Sequence, residues 1–139
     1  MQQCLNPVSS QWSSTLIEFK PHAYQKKAIQ FGLDHERCGL LLPMGAGKTV
    51  TTLTILNELI GIEVARILII GPVRVIKSTW PDEIQKWSHT KDIKFSVVAG
   101  TAAQRKKALQ VDAQIYLIGK ENVTWLVEQN LFDFDMVVI

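Results

Sequence analysis

The chain has 139 residues, 47% of them hydrophobic and 20% charged. That size and apolar content suit one domain with a core of its own and exclude a disordered chain or a low-complexity fibre. The net charge of +2 is too small to announce a nucleic-acid binder, but it hides an asymmetry. Residues 1–107 carry 14 basic and 8 acidic side chains, whereas residues 108–139 hold Lys120 against 5 acids. An uneven solvated surface is the default explanation, and a basic face on the first part is the sharper one.

No run approaches the roughly 18 apolar residues of a membrane-spanning helix. Met1–Ser14 lack the basic and apolar regions of a signal peptide, and Cys4 and Cys38 form no CxxC pair. The expectation is a cytoplasmic protein without a membrane partner.

Residues 1–19 read as a polar lead-in. Pro21 suits a first helical position, and Tyr24, Ala28 and Phe31 recur on one helical face, predicting a short helix that ends near Gly32 or in Asp34–Glu36. Cys38–Leu42 is a brief apolar run that predicts a buried strand, with Cys38 as a buried structural thiol. Pro43–Thr49 is a glycine-rich turn. An apolar helix follows from about Val50 to Ile60, with Gly61 as its C′ residue. Ala65–Gly71 is the next strand. Ser78 or Thr79 then caps a helix presenting Trp80, Ile84 and Trp87 on one face.

Lys94–Gly100 is a further strand, and Thr101–Gln104 is a capping box for the helix after it. Ala113–Gly119 is a strand, followed by a helix with Val123, Leu126 and Val127 inward. Phe134–Ile139 is the last strand, and the chain stops inside it, which reads as a cut rather than a frayed end. Apolar strands alternating with helices predict an α/β fold with a parallel sheet covered on both sides.

The segment Gly45-Ala46-Gly47-Lys48-Thr49, set between a strand and a helix, carries the chemistry. Glycines 45 and 47 let the backbone curl so that successive N–H groups face phosphate oxygens. The helix opening near Lys48 adds its dipole and unpaired amides. Lys48 brings a mobile charge to the β- and γ-phosphates, and the Thr49 hydroxyl suits a Mg²⁺ ion bridging them. The general phosphate-loop pattern is incomplete, because Leu42 occupies its first glycine position. The loop alone does not distinguish ATP from GTP. His22, His35 and His89 show no metal-ligand spacing, so Thr49 is the sole metal candidate.

Met44-Gly45-Ala46-Gly47-Lys48-Thr49 resembles the Walker A motif of superfamily 2 helicases, and most closely that of Swi/Snf-type DNA translocases and their phage relatives. Three stretches agree in order. Lys20-Pro21-His22-Ala23-Tyr24-Gln25 is similar to the family's upstream element. Ile69-Ile70-Gly71-Pro72-Val73 with Trp80, Glu83 and Lys86-Trp87 is similar to motif Ia and its helix. Phe134–Ile139 is similar to the strand leading into motif II, the Walker B box. Leu42 and Pro43 depart from the acidic pair usual in eukaryotic members.

The resemblance runs from Lys20 to the end and implies a three-layer RecA-like first lobe, truncated after the strand leading to motif II. It implies that ATP with Mg²⁺ is held by Met44–Thr49, with Lys48 and Thr49 catalytic. Gln25 would bond the adenine edge, while Tyr24 would pack in the core beside it. Pro72, Arg74 and Lys77 would touch the backbone of DNA, expected to be double-stranded, with an ordinary exposed loop as the competing reading. For Arg105-Lys106-Lys107 a solvated helix face is the default, and Trp80 and Trp87 are expected as core anchors. A second RecA-like lobe of the parent protein is the implied partner, in a bacterial or phage-infected cell. Without the Walker B acids and that lobe, the 139 residues are expected to bind nucleotide and not to turn it over. A stand-alone nucleotide- or DNA-binding module is the alternative; a kinase would leave Tyr24-Gln25 and the Trp–Glu–Trp helix unexplained.

Overall fold

A computed structural model describes residues 16–139. Helix α1 (Ala23–Asp34) and helix α2 (Lys48–Leu59) precede strand β1 (Ile67–Gly71). A wide π turn, Val75–Thr79, runs directly into helix α3 (Trp80–Lys86). Strand β2 (Phe95–Val98), helix α4 (Ala102–Leu109), strand β3 (Ile115–Gly119), a 3₁₀ turn (Lys120–Asn122), helix α5 (Val123–Glu128) and strand β4 (Met136–Val138) complete the order.

The four strands form one sheet, ordered β2-β3-β1-β4. Every pairing is parallel, with Ile67 level with both Ile115 and Met136. All five residues of β3 are buried, because it is flanked by strands and roofed on both faces. One core layer sets Leu53 and Leu56 of α2 and Ile76 and Ile84 near α3 against Ile67, Ile69, Ile115 and Leu117. The other sets Leu109 and Leu126 of α4 and α5 against Leu68, Tyr116 and Ile118. The α/β class, the three layers and the parallel sheet are those expected.

Tyr116 organises the base of the second layer. Its hydroxyl donates to the Val111 carbonyl and accepts from the Ala113 amide at 3.3 Å and from Arg66 Nη1 at 3.1 Å. The Arg66 guanidinium lies 4.5 Å over the Tyr116 ring and 5.2 Å from that of Phe134.

Several local expectations are corrected. Cys38–Leu42 is not a strand: Cys38 is exposed, Leu41 is 98% exposed, and no sheet partner among the described residues reaches this segment. Residues 38–40 line one wall of a cavity of about 740 Å³ whose other wall is Asp135–Ile139. Strand pairing needs a neighbour within about 4.8 Å, and the cavity occupies that space.

Helix α1 begins two residues later than Pro21 would set it, with His22 as its N-cap, and buries Gln25 and Gly32 instead of Tyr24 and Phe31. Gly32 lets Ile55 of α2 approach so closely that an added Cβ would stand 2.5 Å from its Cδ1. Neither Ser78 nor Thr79 caps α3: Thr79 is itself helical, and the Ser78 hydroxyl donates back to the Arg74 carbonyl at 2.8 Å. Val127 faces solvent, and Trp125 packs in its place. The Thr101–Gln104 capping box is present in both directions, and Gly61 ends α2 with φ +85°.

Residues 16–19 run beside the end of α3. Ile17 N–H donates to the Lys86 carbonyl at 3.0 Å and Ser88 N–H to the Ile17 carbonyl at 2.9 Å. Phe19 meets the Trp87 ring edge-on and stacks on His89. Cys4 lies outside the described residues. Among those described, no helix is long and apolar enough to cross a membrane.

Candidate functional site: a phosphate-loop turn and its supports

The turn between residue 43 and α2 is shaped by two left-handed glycines, Gly45 with φ +77° and Gly47 with φ +74°. An ordinary residue at such a position costs about 1–2 kcal/mol. Ala46 N–H donates to the Pro43 carbonyl at 3.2 Å and closes the turn. Gly47 is the N-cap of α2 and supplies no side chain to cap it. The first intrahelical bond runs from Thr51 N–H to the Gly47 carbonyl, so the amides of Lys48, Thr49 and Val50 have no partner inside the helix. Curled backbone, bare amides and the positive end of the helix dipole together make an anion-facing concavity. Lys48 is exposed and Thr49 half-buried on its rim, both lining the large cavity with Trp80. Met44 is 96% exposed on the outer side of the turn, while Ala46 is buried.

Gln25, 5% exposed, is fixed at both ends of its amide. Its Oε1 accepts from the His22 amide at 2.8 Å, and its Nε2 donates to the Ala46 carbonyl at 3.1 Å. One N–H and one lone pair remain for any further partner. Tyr24 is not a core residue: it is 43% exposed, stacks parallel on His22, and donates its hydroxyl to the same Ala46 oxygen at 3.0 Å. Its role was missed because periodicity placed the wrong face of α1 inward. The readable signal was His22-x-x-Gln25 as a helix start, which turns Gln25 toward the loop.

Pro72, Arg74 and Lys77 are all exposed at the carboxyl end of β1, the edge where open α/β sheets place ligands. Val75 and Ile76 amides both donate to the Pro72 carbonyl, anchoring the turn. No hydrogen bond among the described residues ties these three side chains to the phosphate-loop turn. The link between them is α3, whose Trp80 lines the same cavity as Lys48 and Thr49. The basic run 105–107 divides. Lys106 and Lys107 are exposed, but the Arg105 guanidinium lies 4.3 Å over the Trp125 ring and donates to the Gly100 carbonyl at 2.8 Å. Trp87 is half-buried, its indole N–H donating to Glu83 at 2.8 Å.

Two titrating groups are perturbed nearby. His89 Nε2 lies 2.8 Å from the Thr54 hydroxyl, which itself donates to the Val50 carbonyl. Burial lowers the His89 pKa, opposed by the charge of Glu58. The Asp135 carboxylate accepts from the Ala65 and Arg66 amides at 2.8 and 2.9 Å, and those bonds hold it below the usual carboxylate range. Asp135 is thus a cap for the entry to β1, and it lines the same cavity as Lys48 and Thr49.

Structures that share this fold include a Sulfolobus solfataricus SWI2/SNF2 ATPase core in complex with dsDNA. It is 22% identical with a TM-score of 0.72, covering 98% of this chain and 27% of that one. The UvsW helicase of bacteriophage T4 aligns at 22% identity and TM-score 0.66, covering 84% of this chain and 43% of its own. Protein p41 of Acyrthosiphon pisum secondary endosymbiont phage 1 is 40% identical over 113 residues, 79% of this chain and 25% of that protein. The chain therefore spans about a quarter of that relative's length. The model of the SNF2-related domain matches residues 24–138, from the tyrosine that holds the glycine turn to the final strand, and the chain belongs to the SNF2-related domain family.

Proposed function

We propose that these residues form the ATP-binding portion of an ATP-dependent DNA helicase or translocase. The observation that carries this reading is the left-handed Gly45–Gly47 turn delivering an uncapped helix N-terminus. The residues present fit a nucleotide: bare amides and Lys48 for the phosphates, Thr49 for a Mg²⁺ ion, and the free N–H and lone pair of Gln25 for an adenine edge. The bound metal would neutralise charge on the phosphates. What the chain itself contributes is placement. Amides of Lys48 and Thr49 orient the phosphate oxygens, the Lys48 ammonium follows them as a mobile charge, and α2 lends its dipole. An acidic box and an arginine able to stabilise transition-state charge are needed for fast hydrolysis, the arginine alone being worth about 10³–10⁵ in rate. In this reading the 139-residue chain binds nucleotide without turning it over.

The DNA side of the proposal rests on Pro72, Arg74 and Lys77, exposed at the carboxyl end of β1. It is supported by the SWI2/SNF2 core of the same fold, whose structure holds dsDNA. Contacts of this kind position the phosphate backbone and read no sequence.

Calorimetric titration of the 139-residue chain with magnesium ATP, beside Lys48→Ala, tests the first part; saturable binding lost in the variant is expected. Hydrolysis at rates typical of intact motors, abolished by Lys48→Ala, sinks the non-hydrolysing assignment. For the second part, duplex affinity measured between 50 and 200 mM salt should fall steeply, with a slope of about −0.9 per phosphate contact. Arg74→Ala should flatten it. Salt-insensitive binding, or preference for one sequence, removes the DNA claim.

A further inference from the structure

We propose that Tyr24 is a positioning residue for the phosphate loop, a role that rests on the nucleotide-binding reading above. Its hydroxyl and the Gln25 amide converge on one acceptor, the Ala46 carbonyl, at 3.0 and 3.1 Å. A trans peptide carries its C=O and the next N–H on opposite sides. A carbonyl held toward α1 therefore turns the Gly47 N–H away from α1. The neighbouring conformations make this hold necessary. Gly45 and Gly47 flank the peptide, and glycine adopts positive and negative φ with similar ease. An unheld Ala46 carbonyl can flip, presenting an oxygen to the phosphates where an N–H belongs.

Core packing does not hold Tyr24 in place. The ring is 43% exposed and lies parallel to the His22 ring at 5.7 Å, so core burial does not fix it. What the residue contributes beyond that stack is its hydroxyl. The loop is crowded on the same side: a Cβ on Gly47 would stand 2.6 Å from Gln25 Nε2. Tyr24 and Gln25 thus form a two-point brace, with Gln25 inside and Tyr24 at the solvent margin. Because the brace acts on the backbone that faces phosphate, its removal weakens any triphosphate, with or without a base.

The test uses the full 139-residue chain titrated with magnesium ATP and, separately, with magnesium tripolyphosphate, comparing wild type, Tyr24→Phe and Lys48→Ala. Loss of one neutral hydrogen bond predicts that Tyr24→Phe weakens both ligands by a similar factor of about three to ten. The melting temperature should stay near that of wild type, and the Gly47 amide resonance of the unliganded protein should shift in a ¹⁵N–¹H spectrum. Unchanged affinity for both ligands overturns the proposal. So does weakening of ATP alone, which would place Tyr24 at the base, or a Tyr24→Phe chain that fails to fold. Wild-type protein that binds neither ligand, or binding that survives Lys48→Ala, overturns the nucleotide-binding reading itself, and the brace with it.

Discussion

Single atoms decide much in this domain, and the Ala46 carbonyl is one of them. Two side chains from a helix more than 20 positions earlier in sequence meet on it, although neither position looks functional by hydrophobic periodicity. Glycines 45 and 47 were legible from the sequence, because a phosphate-facing turn needs backbone that only glycine adopts cheaply. Tyr24 was not, since an aromatic residue at helical spacing reads as core. The Tyr116 hydroxyl is a second such point, buried and shared by Val111, Ala113 and Arg66. Tyr116→Phe strands an Ala113 amide and an Arg66 N–H, and should cost about 1–3 kcal/mol. Urea unfolding should show the midpoint falling with an unchanged slope.

Elements formed where local chemistry and tertiary context agreed. The α4 start was readable because Thr101 and Gln104 satisfy each other's backbone within four residues. The α3 start was not. Ser78 and Thr79 look like caps, yet the chain is already helical from Val75, and the Ser78 hydroxyl turns back to Arg74. Cys38–Leu42 failed for another reason: apolar character makes a strand only where a neighbour offers hydrogen bonds. At the opposite end of β1, Asp135 stands in for a helix-type cap by accepting two amides of the Ala65–Arg66 entry.

Those bonds lower the folded pKa of Asp135 relative to its ordinary 3.8, the Ala65 amide contributing most. A carboxylate depressed in the folded state stabilises fully above its unfolded value and loses that contribution as pH falls through the folded one. Thermal unfolding of Asp135→Ala should accordingly show a lower melting temperature than wild type at pH 7. The gap should close progressively below about pH 4. A gap independent of pH would mean that the carboxylate's charge is not what matters.

Across the whole molecule, the alternation of apolar strands and helices made the layered parallel sheet readable from composition and order alone, and the family model spans nearly all of it. Strand order was not readable. Nothing in the apolar runs says that β3 enters between β1 and β2, because every run presents two apolar faces. The charge asymmetry acquires a place in the structure. Arg74 and Lys77 are exposed at the carboxyl edge of β1, while Asp133 and Asp135 lie at its entry, held to Arg66.

The bare side of β4 has a kinetic consequence. β3 and β1 each have a strand on both sides, whereas among the described residues β4 pairs only with β1 and otherwise faces the cavity before Cys38–Leu42. Backbone amides with solvent on one flank exchange deuterium through small local openings, whereas those in a doubly flanked strand wait for larger ones. Exchange followed by mass spectrometry should therefore be slowest in Ile115–Gly119 and Ile67–Gly71 and faster in the two edge strands, Phe95–Val98 and Met136–Val138. Whatever comes to lie against that flank should slow β4 first, making its deuterium uptake a reporter of docking in the cavity that Lys48 and Thr49 also line.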